Sequence, residues 1–198
     1  AIWNNFDDGS KSLEYYGDVM AHLGAKTAAS SAEIAAGLEK FAAIGDTVGL
    51  SYEYATAAVA TVVDKTRQSA DTVGTSFKTI FSRLSSLSLG ETLDDGVTLT
   101  KYTDALATVG VAALDANGNL RDMDDILDDL GRKWDTLASA EKNALAQTVA
   151  GVRQYNNLIA ILDNYDAFKD NVDSALGASG TLQNQADIYA ESWEAARD

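Results

Sequence analysis

The sequence predicts a mainly α-helical fold: a multi-helix bundle carrying one short β-hairpin near residues 111–121. Three observations lead there. The 198 residues contain no proline, so no position lacks an amide donor or forces the clash that breaks a helix. Alanine, the residue with the best intrinsic helix propensity, is abundant. Apolar residues recur at intervals of three and four almost everywhere, as one face of a helix requires. The exception is 111–121, where an Asn-Gly pair separates two short apolar stretches.

The first predicted helix runs from about Ser10 to Leu23, with Leu13, Tyr16, Met20 and Leu23 on one face and Gly24 as its stop. Ser30-Ser31-Ala32-Glu33 has the form of a capping box, in which the serine oxygen accepts from an early helical N–H and Glu33 reaches back. Ile34, Leu38, Phe41, Ile44 and Val48 then form the clearest amphipathic stripe of the first half, and Gly49 ends it. Ser51 caps a helix through Tyr52, Ala55, Val59 and Val62, and Ser69 caps another carrying Val73, Phe77, Ile80, Phe81, Leu84 and Leu87.

Residues 89–96 read as irregular, with Asp94-Asp95-Gly96 as turn chemistry. A short helix follows over about 100–109. Asn117-Gly118 then fits a two-residue hairpin turn, since both residues tolerate the positive φ that turn demands. Asp122 is the expected cap of a helix facing inward with Met123, Ile126, Leu127, Leu130, Trp134 and Leu137. Its aspartates 124, 125, 128 and 129 are expected on or near a solvated outer face. Ser139 is the expected cap of a helix through Leu145 and Val149, and Gly151-Val152-Arg153-Gln154 is a break or a kink. One longer helix is expected through Leu158, Ile161, Tyr165, Phe168 and Val172, broken at Gly177 and Gly180, before a last helix with Leu182, Tyr189, Trp193 and Ala196. These two stripes are narrow and heptad-like. They suit either a coiled-coil seam or ordinary packing on the same core.

The expected organisation is a lead-in helix over 1–27, a helical core module over 28–165 and a C-terminal helical arm over 166–198. The chain begins at Ala1, and Ile2, Trp3 and Phe6 resemble the end of a preceding element, so the segment reads as part of a longer polypeptide. No apolar run reaches the roughly 18 residues of a membrane-spanning helix.

Formal net charge is −15, spread as −6 over residues 1–99 and −9 over residues 100–198. Such a surface repels nucleic-acid phosphate, which argues against sequence-specific nucleic-acid binding. With no cysteine there are no disulfides, thiolate metal sites or cysteine nucleophiles. His22 is the single histidine, too few for a multi-histidine metal site, and no Gly-x-Ser-x-Gly elbow accompanies it. Asp115-Ala116-Asn117-Gly118-Asn119 resembles the start of a calcium loop. Its glycine is fourth instead of sixth, however, and the twelfth position is Ile126 instead of a bidentate glutamate. The expected assignment is therefore no enzyme activity, no catalytic residue, no cofactor and no metal.

Three stretches carry a more specific likeness. They are Ser30 to Ala35 continuing through Gly49-Leu50-Ser51-Tyr52-Glu53-Tyr54-Ala55-Thr56-Ala57; Arg67-Gln68-Ser69-Ala70-Asp71 continuing through Phe77 to Leu84; and Val109 to Leu130 followed by Val149 to Asn156. In that order, over roughly residues 28–165, the chain resembles the core region of a phage tail tape-measure protein of long-tailed phages and related prophages. The resemblance implies a structural role: setting tail length during assembly in the bacterial host cytoplasm, occupying the tail-tube lumen of the virion, and leaving when the genome is ejected. The partners it implies are other copies of the chain and the tail-tube and tail-tip proteins. The competing readings are a peptidoglycan-hydrolase-associated module, which a deep cleft with a buried carboxylate would mark, and a helical host-interaction module, which an exposed apolar face would mark.

Overall fold

The computed structural model describes residues 2–195, with side chains over residues 3–190. Among these residues there are ten α-helices and no strand. The helices are α1 (Leu13–Lys26), α2 (Ser31–Thr47), α3 (Tyr52–Thr66), α4 (Ala70–Ser88), α5 (Leu99–Thr108), α6 (Met123–Trp134), α7 (Ser139–Ala150), α8 (Tyr155–Leu162), α9 (Tyr165–Leu176) and α10 (Thr181–Ala195). A 3-10 turn over Ile2–Asn5 precedes them and lies on α2.

Helix starts follow the side-chain chemistry in the first half. Ser30 accepts from the Glu33 amide while Glu33 takes the Ser30 N–H at 2.8 Å, completing the capping box. Ser51, Ser69 and Thr98 cap α3, α4 and α5 in the same way. The cap of α1 is Ser12, two residues beyond the expected start, and Gly24 lies inside the helix, which ends at Lys26. Leu13, expected inward, is exposed, and Tyr15 is buried in its stead.

Helix α3 is the centre of the bundle. It packs against α1, α2, α4, α8 and α9, and its residues from Ala55 to Val63 are all buried. That is why its apolar pattern is nearly continuous: a helix surrounded on all sides has no polar face. Helices α2 and α4 cross closely beside it, with Phe41, Phe77 and Phe81 clustered at centroid separations of 5.4–5.9 Å. Ile34, Leu38, Phe41, Phe77, Phe81, Leu84, Ile126, Leu130, Trp134 and Leu158, all expected inside, are buried.

The expected β-hairpin is not formed. Residues 113–121 make a loop with one isolated antiparallel bridge, Leu114 to Leu120. Gly118 N–H donates to Asp115 O at 3.1 Å and Asp115 N–H to Asn119 O at 2.8 Å. Only Gly118 takes positive φ, at 84°, so this is a longer loop with a left-handed glycine and not the two-residue turn. The Asp115 carboxylate accepts from the Asn117 and Asn119 amides at 2.8 and 2.9 Å. These side-chain bonds occupy amides inside the loop, where a tight turn would leave a ladder to propagate.

Two further expectations are corrected. Asp122 and Ser139 do not cap α6 and α7 with their side chains. At α6 the first free amides donate instead to the α2–α3 link, Met123 N–H to Val48 O at 3.0 Å and Asp124 N–H to Gly49 O at 3.3 Å. At α7 the Glu141 carboxylate takes the Ala138 N–H at 2.8 Å. The single long helix after residue 154 is two, α8 and α9, separated at Asp163-Asn164. Asp163 accepts from the Trp134 indole N–H at 2.6 Å, and Asn164 donates back to Ala160 O at 2.9 Å. The spacing of the apolar stripe survives this short break, which is why it reads as one helix.

Leu158, Ile161, Phe168 and Val172 are buried in the same core as α1 to α7. This part of the stripe completes the fold and offers no seam to a partner. In α10, by contrast, Ile188 and Tyr189 are 65% and 68% exposed. Trp193 and Ala196, expected on its inner face, lie outside the residues whose side chains are described.

Candidate functional site

The acidic run of α6 partitions between neighbours. Asp125 is exposed, but Asp124, Asp128 and Asp129 are only partly so. The expectation of a solvated face fails because α6 is ringed by polar partners. Asp124 accepts from the Ser51 backbone N–H at 3.1 and 3.2 Å, closing a second link between α6 and the start of α3. Burial pushes its carboxyl up to about 7, against the pull of the Ser51 N–H, with Glu53 and Asp122 adding repulsion.

Asp128 accepts from the Tyr165 hydroxyl at 3.1 Å and pairs with Lys169 at 3.1 Å. The Lys169 ammonium donates to the Tyr54 hydroxyl at 2.5 Å and lies 4.6 Å from the centre of that ring. Burial and the adjacent Asp128 push the Tyr54 and Tyr165 hydroxyls up. Asp129 pairs with Arg121 at 2.8 Å and Arg132 at 3.2 Å. This seam joins α3, α6 and α9, and every group in it is bonded to another. Such an arrangement fixes helix positions; it leaves no converging acid, base and open substrate position of the kind acid–base catalysis needs.

The other chemistry-bearing candidates stand apart from this seam. His22 is half-buried on α1, with Nδ1 3.5 Å from the Thr181 hydroxyl. The Asp115 carboxylate is occupied by its own loop, whose N–H groups hold it below the usual carboxylate range. Among the described residues no three His, Cys, Asp or Glu side chains gather where they could hold one metal ion.

The three stretches that carry the sequence likeness do converge. The first and second meet where α2 crosses α4. The second and third meet where Gly151 packs on Arg83, whose guanidinium also pairs with Asp95 at 2.8 Å and donates to Thr148 O at 3.2 Å, just ahead of the Val149 to Asn156 part of the third stretch. Gly151 lies over its guanidinium, so a β-carbon there would sit 3.1 Å from Arg83 Cζ. The Gly-Val-Arg-Gln stretch is thus a turn folded over Arg83, with Gly151 at φ 81° and Val152 exposed. First and third meet at Asp124 and Ser51.

Sequence reasoning missed Asp18, Glu53, Arg83 and Lys169. Asp18 and Glu53 had a legible signal. Asp18 follows Tyr15 by three residues, on the inward side of α1, and Glu53 sits at the start of the most apolar helix; both are buried. Glu53 accepts a short hydrogen bond from the Tyr15 hydroxyl. Arg83 and Lys169 had no signal, since long cationic side chains ordinarily lie over a helix surface with the charge in water.

A family model described as phage-related minor tail protein matches residues 1–151. No solved structure gives a significant match to the chain.

Proposed function

The chain belongs to the phage-related minor tail protein family, and from that premise we propose that it is a folded, non-catalytic module of a tape-measure protein, which sets tail length and lies in the tail-tube lumen. The observation that carries this reading is the ordered set of three stretches, over roughly residues 28–165, packed together as one helical body. The reading extends to its partners: copies of the same chain and the tail-tube and tail-tip proteins.

A ruler can be built from helices because each residue advances the axis by about 1.5 Å, so length scales with chain length. This segment is folded back on itself and contributes less than its extended length. Its task in such a ruler is docking more than span. The net charge of −15 would keep the module from adhering to DNA passing through the same lumen. No described helix is long and apolar enough to cross a membrane, so membrane insertion is not part of the role proposed for it. A hydrolase reading finds less support: the buried carboxylates Asp18 and Glu53 and the half-buried Asp124 are each occupied by hydrogen-bond donors of the fold itself.

The test is tail length. Duplicating a helical tract elsewhere in the parent polypeptide should lengthen the assembled tail by about 1.5 Å per added residue, measured by electron microscopy. Tails of unchanged length overturn the ruler while leaving membership of the tail protein family intact.

A further inference from the structure

Asp18 is the most deeply buried carboxylate among the described residues, 2% exposed, and no Lys or Arg among them forms an ion pair with it. It sits mid-way along α1 and accepts two backbone hydrogen bonds from a segment more than 160 residues away. Gly180 N–H donates to Oδ2 and Leu182 N–H to Oδ1, each at 2.7 Å. These are early amides of α10, where Gly180 O accepts the Asn184 N–H. A helix leaves its first amides without internal partners, and a carboxylate there meets the positive end of the helix dipole. An N-terminal capping residue ordinarily supplies that acceptor from within the helix; here another helix supplies it.

The contact is small and local. Leu182 Cδ1 lies where a β-carbon on Gly17 would come within 2.8 Å, so the absence of a side chain at Gly17 lets the first turn of α10 approach α1. Thr181 lies against His22. Beyond it, only Gln185 of residues 183–190 is partly buried; the rest are exposed. The link to α9 runs through Gly177 to Gly180, the last at φ 84°. The first turn of α10 is thus the part of the helix held by α1 through Asp18, Gly17 and His22.

We propose that Asp18 is a latch through which α1 sets the direction of the α10 arm. With both carboxylate oxygens engaged, the first turn cannot rotate or tilt without breaking a charge-assisted bond inside a water-poor contact. Without them, the arm pivots about the glycine link. The direction the latch sets is the direction in which the exposed Ile188 is carried. The inference is independent of the ruler reading, since it concerns one helix and its seat.

The chain's lack of cysteine allows clean spin labelling. Lys78→Cys on the body and Ala190→Cys on the arm, both exposed positions, report the distance between them by pulsed electron resonance. The otherwise unaltered chain should give one narrow distribution, Asp18→Ala a broad one, and Asp18→Asn, which keeps one acceptor oxygen, an intermediate one. Hydrogen exchange at the Gly180 and Leu182 amides should accelerate by about 10-fold or more in Asp18→Ala, the size expected for losing one charge-assisted bond. Unchanged distances and exchange rates overturn the latch. Should Asp18→Ala unfold α1, Asp18→Asn and the unaltered chain decide: Gly180 and Leu182 amides exchanging there as fast as in an unstructured peptide also overturn it.

Discussion

The backbones of α2 and α4 touch at Gly37 and Gly74. A β-carbon on Gly74 would fall 2.2 Å from the Gly37 carbonyl oxygen, and one on Gly37 would fall 2.8 Å from Val59 Cγ1 and 3.1 Å from Ala70 O. The obstacle at Gly74 is backbone, so no rotamer change relieves it. Gly74→Ala should therefore destabilise the fold by about 1–3 kcal/mol or more, as overpacking does. Gly177→Ala, where the nearest atom is 3.5 Å away, is the matched control and should change little. Equal denaturation midpoints for the two variants would refute the close crossing.

Tyr102 supplies a prediction of the opposite sign. It is 1% exposed, and its hydroxyl has no hydrogen-bond partner among the described residues. A buried polar group without a partner carries its desolvation cost uncompensated, about 1–3 kcal/mol. Tyr102→Phe removes that group and keeps the ring. It should raise the urea midpoint at constant slope, by an amount worth about 1 kcal/mol. A lower midpoint would mean that the hydroxyl is engaged.

Asp124 makes stability depend on pH. Its folded pKa, pushed up to about 7 by burial, lies above the ordinary value of 3.8. Between those two values the folded chain binds more protons than the unfolded one, so this group's contribution to stability falls as pH rises through the window. Asp124→Asn keeps an oxygen for the Ser51 N–H and removes the titration. The variant's stability relative to the parent should grow from about pH 4 to pH 7 and level off above it, with a gain of up to about 4 kcal/mol. Parallel stability–pH curves for parent and variant would defeat this account.

The folded unit extends past the family match. Residues 1–151 match the family model, yet Leu158, Ile161, Leu162, Phe168 and Val172 are buried against the same core. A chain ending at residue 151 loses that cover and should lose cooperative unfolding, because stripping several large side chains exceeds the usual stability margin of about 5–15 kcal/mol. A chain ending at Ala178, which removes only the arm, should keep a sharp thermal transition and nearly the parent helicity for residues 13–176. A cooperative transition in the 151-residue piece would show that α8 and α9 are accessory.

Much of the fold was legible in local pattern. The capping box at Ser30 and the serine caps at residues 51 and 69 depend on contacts three residues apart. The inward residues of α2, α4 and α6 follow helical spacing. Glycine signals were less informative: Gly24, expected to end α1, lies inside it, where Ser31 comes close. Asp122 looked like a cap, but the donors it would serve are taken by Val48 and Gly49 carbonyls some 75 residues earlier.

What the sequence determined by itself is what repeats locally: helical class, most helix starts, the core face of each amphipathic stripe, and an acidic surface. Only the tertiary structure decided where the stripes of α8 and α9 point, why Asp115 closes a loop without a sheet, and which acids serve as ties. Asp18, Asp124 and Asp128 have the same side chain and differ in what stands opposite: the first turn of α10, the Ser51 amide, and the Lys169–Tyr54 pair. A carboxylate's role is set by the donors that reach it. Those donors are brought by helices distant in sequence, so no local spacing encodes them.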